Sequence, residues 1–325
     1  MARTYQSRER GKGNRAGENQ SAEGRKQKAK GESRRQMEES KIKNPTLPLP
    51  YHESRTANPG SFTVLGVRVD AVQIIDVIAE MEHWIVTRAA GHFVAFTGMH
   101  GVTEAQVDPS LKQILNSADL VVADGMPLVW LGRRHGRDMR RRVYGPELLE
   151  TFCCNTGPFY RHYFYGGGPG VAERLAEVLN ERYGVRTVGT YSPPFRPLTG
   201  EEEAEVVRRI RAAAPDVVWV GLSTPKQERW MYDYRARLGV PVMAGVGAAF
   251  DFLAGTVRQA PVWMRENGLE WLFRLANEPL RLWRRYLVLG PRFACEVLLE
   301  LLGDKTSDSQ AEPKKPNPKN AAWKA

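Results

Sequence analysis

Between residues 60 and 260, short runs rich in β-branched residues alternate with amphipathic stretches. This alternation constrains the chain more than any other feature. Strands separated by helices of ten to fifteen residues need crossover connections, which give a mainly parallel sheet with its ligand crevice outside the carboxyl ends of the strands. The expected strands are Phe62–Val69, His92–Thr97, Leu120–Ala123, His162–Tyr165, Thr187–Tyr191, Val217–Gly221 and Val240–Ala244. Helices are expected over 71–89, 101–117, 127–136, 145–155, 169–183, 200–213 and 225–237. One helix start is marked by capping-box spacing, Thr199 to Glu202, with Pro197 just before it. No internal repeat is present.

After Gly255 the pattern changes. Trp263, Trp271, Phe273, Trp283, Tyr286 and Phe293 stand among leucines and are interleaved with Arg265, Arg274, Arg281, Arg284, Arg285 and Arg292, without strand-like alternation. The expectation is a helical appendage on the α/β core, hinged near Pro261 and broken again at Pro279 and Pro291. The first fifty residues carry thirteen Lys/Arg and six Asp/Glu with almost no aliphatics, so they cannot bury enough apolar surface to offset chain entropy. Residues 303–325, with five Lys, three Asp/Glu and three Pro, read the same way. The expected organisation is a disordered basic head (1–55), a Rossmann-like α/β core (56–258), a helical membrane-associated appendage (259–302) and a disordered tail (303–325).

The formal charge of +10 therefore sits mostly at the ends, +7 in the head and +2 in the tail, leaving +1 for 51–302. A pI of about 9.6 is then no sign of a DNA-binding fold, although the head can touch anionic lipid or RNA non-specifically. Cys153, Cys154 and Cys295 match neither a zinc spacing nor a disulfide framework, which fits a reducing cytoplasm. The N-terminus has no apolar core of a signal peptide. The most apolar stretch, around 280–302, is interrupted by arginines, so the expected state is soluble or bound at a membrane surface.

Several strand ends carry chemistry-bearing residues. Ala123-Asp124-Gly125-Met126-Pro127 puts a carboxylate on a glycine-flanked turn after Leu120-Val121-Val122, and Arg142-Val143-Tyr144-Gly145-Pro146-Glu147 follows. Asp-Gly there is either a working acid or a plain turn. Gly166-Gly167-Gly168-Pro169-Gly170 is either a backbone cradle for a diphosphate or a tight turn into a helix. It is not the dinucleotide fingerprint, because Val171 stands where the third glycine would fall. Gly221 through Glu228 places Lys226 and Gln227 at a helix start, where they can hold a sugar or phosphate or simply cap the helix. Asp251, after the glycine pair Gly245 and Gly247, can bind a ligand hydroxyl or pair with an arginine. Arg274, Arg281 and Arg284 fall on one stripe if their helix runs unbroken past Pro279, there to neutralise a leaving diphosphate or to face lipid. His100 directly follows a strand and is expected to share a crevice with Asp124. No D-x-D motif and no metal-ligand spacing of histidines occur, so neither metal nor cofactor is expected.

In order, Thr97-Gly98-Met99-His100, Ala123–Pro127, Arg142–Glu147, Tyr165–Gly170, Gly221–Glu228, Gly245–Asp251, Arg258–Pro261 and Gly268–Leu272 resemble the WecG/TagA/CpsF glycosyltransferases, family 26, over about 60–292. The resemblance implies an inverting, metal-independent transfer of a sugar from UDP to a polyprenyl-diphosphate-linked saccharide on the cytoplasmic membrane face, in cell-surface polysaccharide synthesis. It implies Asp124 as the general base, Thr97 and Gln227 lining the sugar and acceptor site, and Arg142 in the pocket. Asp251 and the glycine turns at Gly166, Gly168, Gly221 and Gly247 fall on the donor-nucleotide side. Arg274, Arg281 and Arg284 match an appendage thought to close over the site and face the membrane. Many members have Thr-x-Asn where this chain has Thr97-Gly98-Met99-His100, so His100 stands as a hydrogen-bond donor or second acid/base group. The donor sugar and any homo-oligomer are left open. The competing reading is a non-catalytic membrane or nucleic-acid binder acting through the basic head.

Overall fold

The structure, a computed structural model, describes residues 60–308; the basic head and most of the tail lie outside the described residues. Eight strands form one sheet: β1 (Ser61–Val64), β2 (Val67–Asp70), β3 (His92–Thr97), β4 (Leu120–Ala123), β5 (Arg161–Gly166), β6 (Arg186–Tyr191), β7 (Val217–Gly221) and β8 (Val242–Gly245). Their spatial order is β1-β2-β4-β3-β8-β7-β5-β6, and every pairing except β1–β2 is parallel. The α/β class expected from the alternation is what the chain adopts.

The helices of the core are α1 (Ile74–Val86), α2 (Met99–Val107), α3 (Pro109–Asn116), α4 (Met126–Arg134), α5 (Gly145–Thr156), α6 (Val171–Tyr183), α7 (Gly200–Ala213), α8 (Lys226–Leu238) and α9 (Ala249–Leu253). Two apolar clusters cover the two faces of the sheet. Phe93 and Ala95 of β3 join one cluster with residues of α2, α3, α4, α7 and α8, whereas Val94 and Phe96 join the other with α1, α5, α6 and α9. Strands buried on both faces read as continuous apolar runs, which is why β3, β4 and β7 begin and end where the sequence places them.

Two expected elements are divided. Phe62–Val69 is a hairpin and not one strand, because Leu65 and Gly66 turn the chain at φ of 51° and 76°. Both values are positive, as the right-handed twist of a two-residue hairpin requires. The helix expected over 101–117 is two, because Asp108 leaves helical geometry ahead of Pro109 and its carboxylate accepts the Leu111 N–H at 3.0 Å. The capping box at Thr199 and Glu202 forms in both directions.

Beyond the core run α10 (Val262–Glu266), α11 (Glu270–Asn277), α12 (Pro279–Trp283), a π-helical turn (Arg284–Val288) and α13 (Leu289–Asp308). The chain breaks at Glu278, before Pro279, as expected. Pro291 does not break it: helical geometry continues from the π-helical turn through Pro291 along α13. Helix α13 also passes the boundary drawn at 302. It returns to the core, burying Phe293 and Val297 in the first cluster, and Glu300 accepts the Leu65 N–H at 2.9 Å.

Where β5 and β7 lie side by side, Gly166 pairs with Gly221. Gly166 has φ of 128°, and a Cβ there would stand 2.5 Å from the Gly221 carbonyl oxygen. Gly166→Ala therefore combines a strained backbone with a backbone clash, and is expected to cost about 2–4 kcal/mol, read as a lowered urea midpoint. A variant as stable as the parent would show that the two turns can part.

Candidate active site

The carboxyl ends of β3, β4 and β8 lie next to one another, because Thr97 is in register with Ala123 and Ala95 with Gly245. The turns that follow β3 and β4 nearly touch, with the Cβ direction of Gly98 ending 3.9 Å from the Gly125 nitrogen. The Asp124 N–H donates to the Thr97 carbonyl at 2.8 Å, which fixes the backbone of the acid against its neighbour. Gly101 leaves room for the Thr97 hydroxyl: a Cβ there would come within 2.4 Å of Oγ1.

Asp124 is half-buried, and its Oδ1 is closed off from solvent with no hydrogen-bond partner. Burial is the largest influence on its pKa and raises it; Arg142 opposes, Glu270 adds to the rise, and Arg285 and the Gly145 N–H oppose. The balance pushes it up to about 6. A carboxylate in that range is a better proton acceptor than an ordinary aspartate and is still ionised near neutrality.

Arg142 reaches from the loop before α5. Its Nη2 donates to Glu270 Oε2, its Nη1 lies 3.4 Å from the Asp124 carbonyl oxygen, and its guanidinium carbon stands 4.0 Å from the Tyr144 ring centre. Gln227 is buried at the start of α8 and donates to the Gly245 carbonyl at 2.8 Å, leaving Oε1 without a partner. Beside it, Glu228 is fully buried. Thr224 Oγ1 donates to its Oε1 at 2.8 Å, Oε2 is unpartnered, and burial raises its pKa. His100 keeps Nδ1 unpartnered, and burial followed by the charge of Arg285 lowers its pKa to about 3. Neutral at working pH, it suits hydrogen bonding to a ligand better than carrying a proton.

Buried polar atoms are normally paired. Here Thr97 Oγ1, His100 Nδ1, Asp124 Oδ1, Gln227 Oε1, Glu228 Oε2, Arg274 Nε and Arg285 Nε are all left without partners. They belong to the ends of β3 and β4, the starts of α2 and α8, and the appendage, and a polar ligand would satisfy such a set.

The glycine turns form the adjoining half. Gly167 donates to the Gly221 carbonyl at 2.9 Å, and Cβ atoms on Gly167 and Gly221 would meet the Phe250 ring at 3.5 and 2.8 Å. Gly168 accepts the Val171 N–H at 3.0 Å as α6 begins. Gly247 brings its Cβ direction within 3.5 Å of Gln227 Oε1, and a Cβ on Gly145 would stand 3.0 Å from the Val246 carbonyl, so this half is continuous with the Asp124 half. Asp251, next to Phe250, has Thr256 Oγ1 at 3.4 Å from its Oδ1, and no ion pair with an arginine is found for it among the described residues.

The arginine stripe needs correction. The break at Glu278 and the π-helical turn separate the three positions that an unbroken helix would align. Arg274 reaches the site side, over Phe252, but Arg281 is exposed and paired with Glu278, and Arg284 is exposed. Arg285 turns inward instead, since a π-helical turn takes more residues than an α-helical one and moves the inward position along the chain. Burial lowers its pKa most; Tyr286 and Asp124 oppose this, while Arg274 and Arg281 add to it. Tyr144, Glu228, Glu270 and Arg285 are site residues that sequence reasoning did not single out, although all but Arg285 stand within the quoted motifs.

The family model described as Glycosyl transferase WecG/TagA/CpsF family matches residues 62–307. The chain belongs to this glycosyltransferase family. It is similar to the N-acetylglucosaminyldiphosphoundecaprenol N-acetyl-beta-D-mannosaminyltransferase of Bacillus spizizenii (strain ATCC 23059 / NRRL B-14472 / W23), with 28% identity over 228 residues covering 70% of this chain and 86% of that protein. The protein of the same name from Bacillus subtilis (strain 168) is 29% identical over 200 residues, covering 61% and 76%. The cleft of this WecG/TagA/CpsF glycosyltransferase brings together a carboxylate of raised pKa, the guanidinium groups of Arg142 and Arg285, and polar atoms left without partners.

Proposed function

We propose that this glycosyltransferase moves a sugar of the N-acetylhexosamine or hexuronic acid type from a UDP-sugar to a polyprenyl-diphosphate-linked saccharide, with inversion and without a metal. The observation that carries the reading is Asp124: a carboxylate raised to about 6 at the ends of parallel strands, beside Arg142 and Arg285 and opposite the glycine turns. The names of the two Bacillus relatives describe transfer of N-acetylmannosamine to a diphosphoundecaprenol-linked sugar.

In this reading Asp124 takes the proton from the acceptor hydroxyl as its oxygen attacks the anomeric carbon from the face opposite UDP. The bond between that carbon and the β-phosphate oxygen breaks, and UDP leaves with the electron pair. One displacement inverts the centre and needs one base, without a covalent sugar–enzyme intermediate. Arg142, Arg274 and Arg285 supply the positive charge that the leaving diphosphate needs, and guanidinium groups do this bidentately. Among the described residues no three His, Cys, Asp or Glu side chains are grouped to hold a metal ion. The glycine turns at Gly166, Gly168, Gly221 and Gly247, with Asp251, would take the nucleotide; Thr97, His100 and Gln227 would line the sugar.

The lipid tail of such an acceptor requires a membrane surface. Among the described residues no helix is long and apolar enough to cross a membrane. The appendage does expose Trp263 (59%), Leu280 (92%) and Trp283 (50%) beside Arg281 and Arg284, a composition suited to the headgroup region of the cytoplasmic face. Family membership makes the chain an enzyme and sets aside the non-catalytic binder.

A panel of UDP-sugars with polyprenyl-diphosphate-linked N-acetylglucosamine tests the reading. UDP release is expected only with donor and acceptor together, unchanged by EDTA. Release abolished by EDTA would end the metal-independent reading, and no release with any pair would end the transferase assignment to this donor class.

A further inference from the structure

Glu270 of α11 has no part in the chemistry above, yet it is buried where the appendage meets the core. It accepts two hydrogen bonds from the core, one from Arg142 Nη2 to Oε2 and one from the Tyr144 hydroxyl to Oε1 at 2.9 Å. Gln259 Nε2 donates to the Tyr144 oxygen at 3.1 Å. An amide nitrogen only donates, so the phenol proton is directed to Glu270. Arg142 is thus held by a carboxylate on one side and by the Tyr144 ring on the other, and its free edge faces the Asp124 backbone. The Arg142 and Glu270 side chains are 16% and 8% exposed, so solvent screens this pair weakly.

We propose that Glu270 is a positioning residue of this site: it fastens the appendage over the end of β4 and holds the Arg142 guanidinium at Asp124, so that base and arginine are set only when α11 is seated. The role as base rests on the transferase reading; the placement of the three side chains does not. Asp124 is faced by Arg142, Tyr144 and the Gly145 N–H from the loop and start of α5, by Glu270 from α11 and by Arg285 from the π-helical turn. His100 of α2 and Glu228 of α8 share Arg285 with it. In this set Glu270 favours the protonated acid, whereas Arg142, Arg285 and the N–H favour the carboxylate. In Glu270→Gln the amide oxygen still accepts from Arg142 while the negative charge is gone, so Asp124 ionises at lower pH.

The test follows the full chain labelled with 13C at the aspartate carboxyl carbon, the Asp124 resonance being the one absent from Asp124→Asn. In Glu270→Gln the titration midpoint of that resonance is expected to fall by about one pH unit. The acid limb of kcat/KM should fall with it. Should that variant not fold, Glu270→Asp, which keeps the charge but shortens the reach to Arg142, is read in its place: with Arg142 no longer held at Asp124, the midpoint should rise. Trypsin cleavage at the appendage arginines reports the fastening and should quicken in either variant. An unmoved midpoint in a folded variant overturns the proposal, even if cleavage quickens, because Glu270 would then only hold the appendage down. A midpoint that moves in a protein that transfers no sugar upholds the placement and overturns the transferase reading instead.

Discussion

Asp124→Asn is expected to lower turnover by about two to four orders of magnitude with the fold intact, the ordinary worth of a positioned base. In the parent, kcat/KM should fall away below a pH of about 6 as Asp124 takes up its proton. The same substitution should make the protein more stable. Folded Asp124 holds its proton up to about 6, whereas in the unfolded chain it is released near 3.8. Between those values the folded state binds more protons, so stability falls as pH rises through the window and stays reduced above it. Asparagine carries no charge to bury. The expected gain above pH 6 is about 1–3 kcal/mol, the upper figure being the full shift and the lower one allowing for lost attraction to Arg142. Urea midpoints for parent and variant at pH 4 and pH 7.5 measure it: the two should converge at the lower pH. Normal turnover in the variant would remove Asp124 as the base, and a pH-independent difference in stability would remove burial as the cause of its raised pKa.

Arg142→Ala should be costly in the other direction. It leaves the Glu270 carboxylate buried with only the Tyr144 hydroxyl as partner, and breaking a buried pair from one side typically costs about 3–5 kcal/mol. Lysine should not restore the loss, because a single ammonium cannot lie against the Tyr144 ring and reach both Glu270 and the Asp124 carbonyl. The double variant Arg142→Met with Glu270→Gln should recover most of the stability without recovering turnover, since it removes both charges together. Denaturant midpoints at constant slope separate these outcomes. A single-variant cost under about 1 kcal/mol would mean that water reaches the pair and screens it as on a surface.

The strands were easiest to read where the sheet is buried on both sides. Val217–Gly221 is apolar on both faces, and nothing else such a run can do inside an α/β pattern competes with a central strand. At the margin of the sheet Phe62–Val69 alternates as one long strand would, and Leu65-Gly66 is a weak turn signal beside Asn-Gly, so the hairpin was hidden. Asp108-Pro109 did carry a breaker signal within an otherwise periodic stretch. Asp124 and Gln227 were legible as candidates because a strand end and a helix start locate them without knowledge of packing, whereas Thr97 was singled out only by its match to the family motif. Glu228 and Glu270 sit beside quoted residues, yet burial on one face of a short helix depends on what packs there. Arg285 was unreadable for a further reason: the chosen spacing assumed 3.6 residues per turn, and the helix changes its winding at Arg284.

The strand order has a consequence for how this enzyme comes into being. Residues 61–123 supply one side of the sheet and 161–245 the other, and the two are joined along a single seam, β3 against β8. Asp124 and Thr97 belong to the first half, the glycine turns and Gln227 to the second. Each half can build local structure by itself, but the cleft does not exist until the seam closes across some 150 residues of intervening chain, a slow step for long-range pairing. The last contact is later still. The Leu65 turn, made among the earliest described residues, finds its carboxylate only when Glu300 arrives. On a ribosome that delivers the amino end first, the working site is therefore a late product, assembled after most of the chain that frames it has already been made.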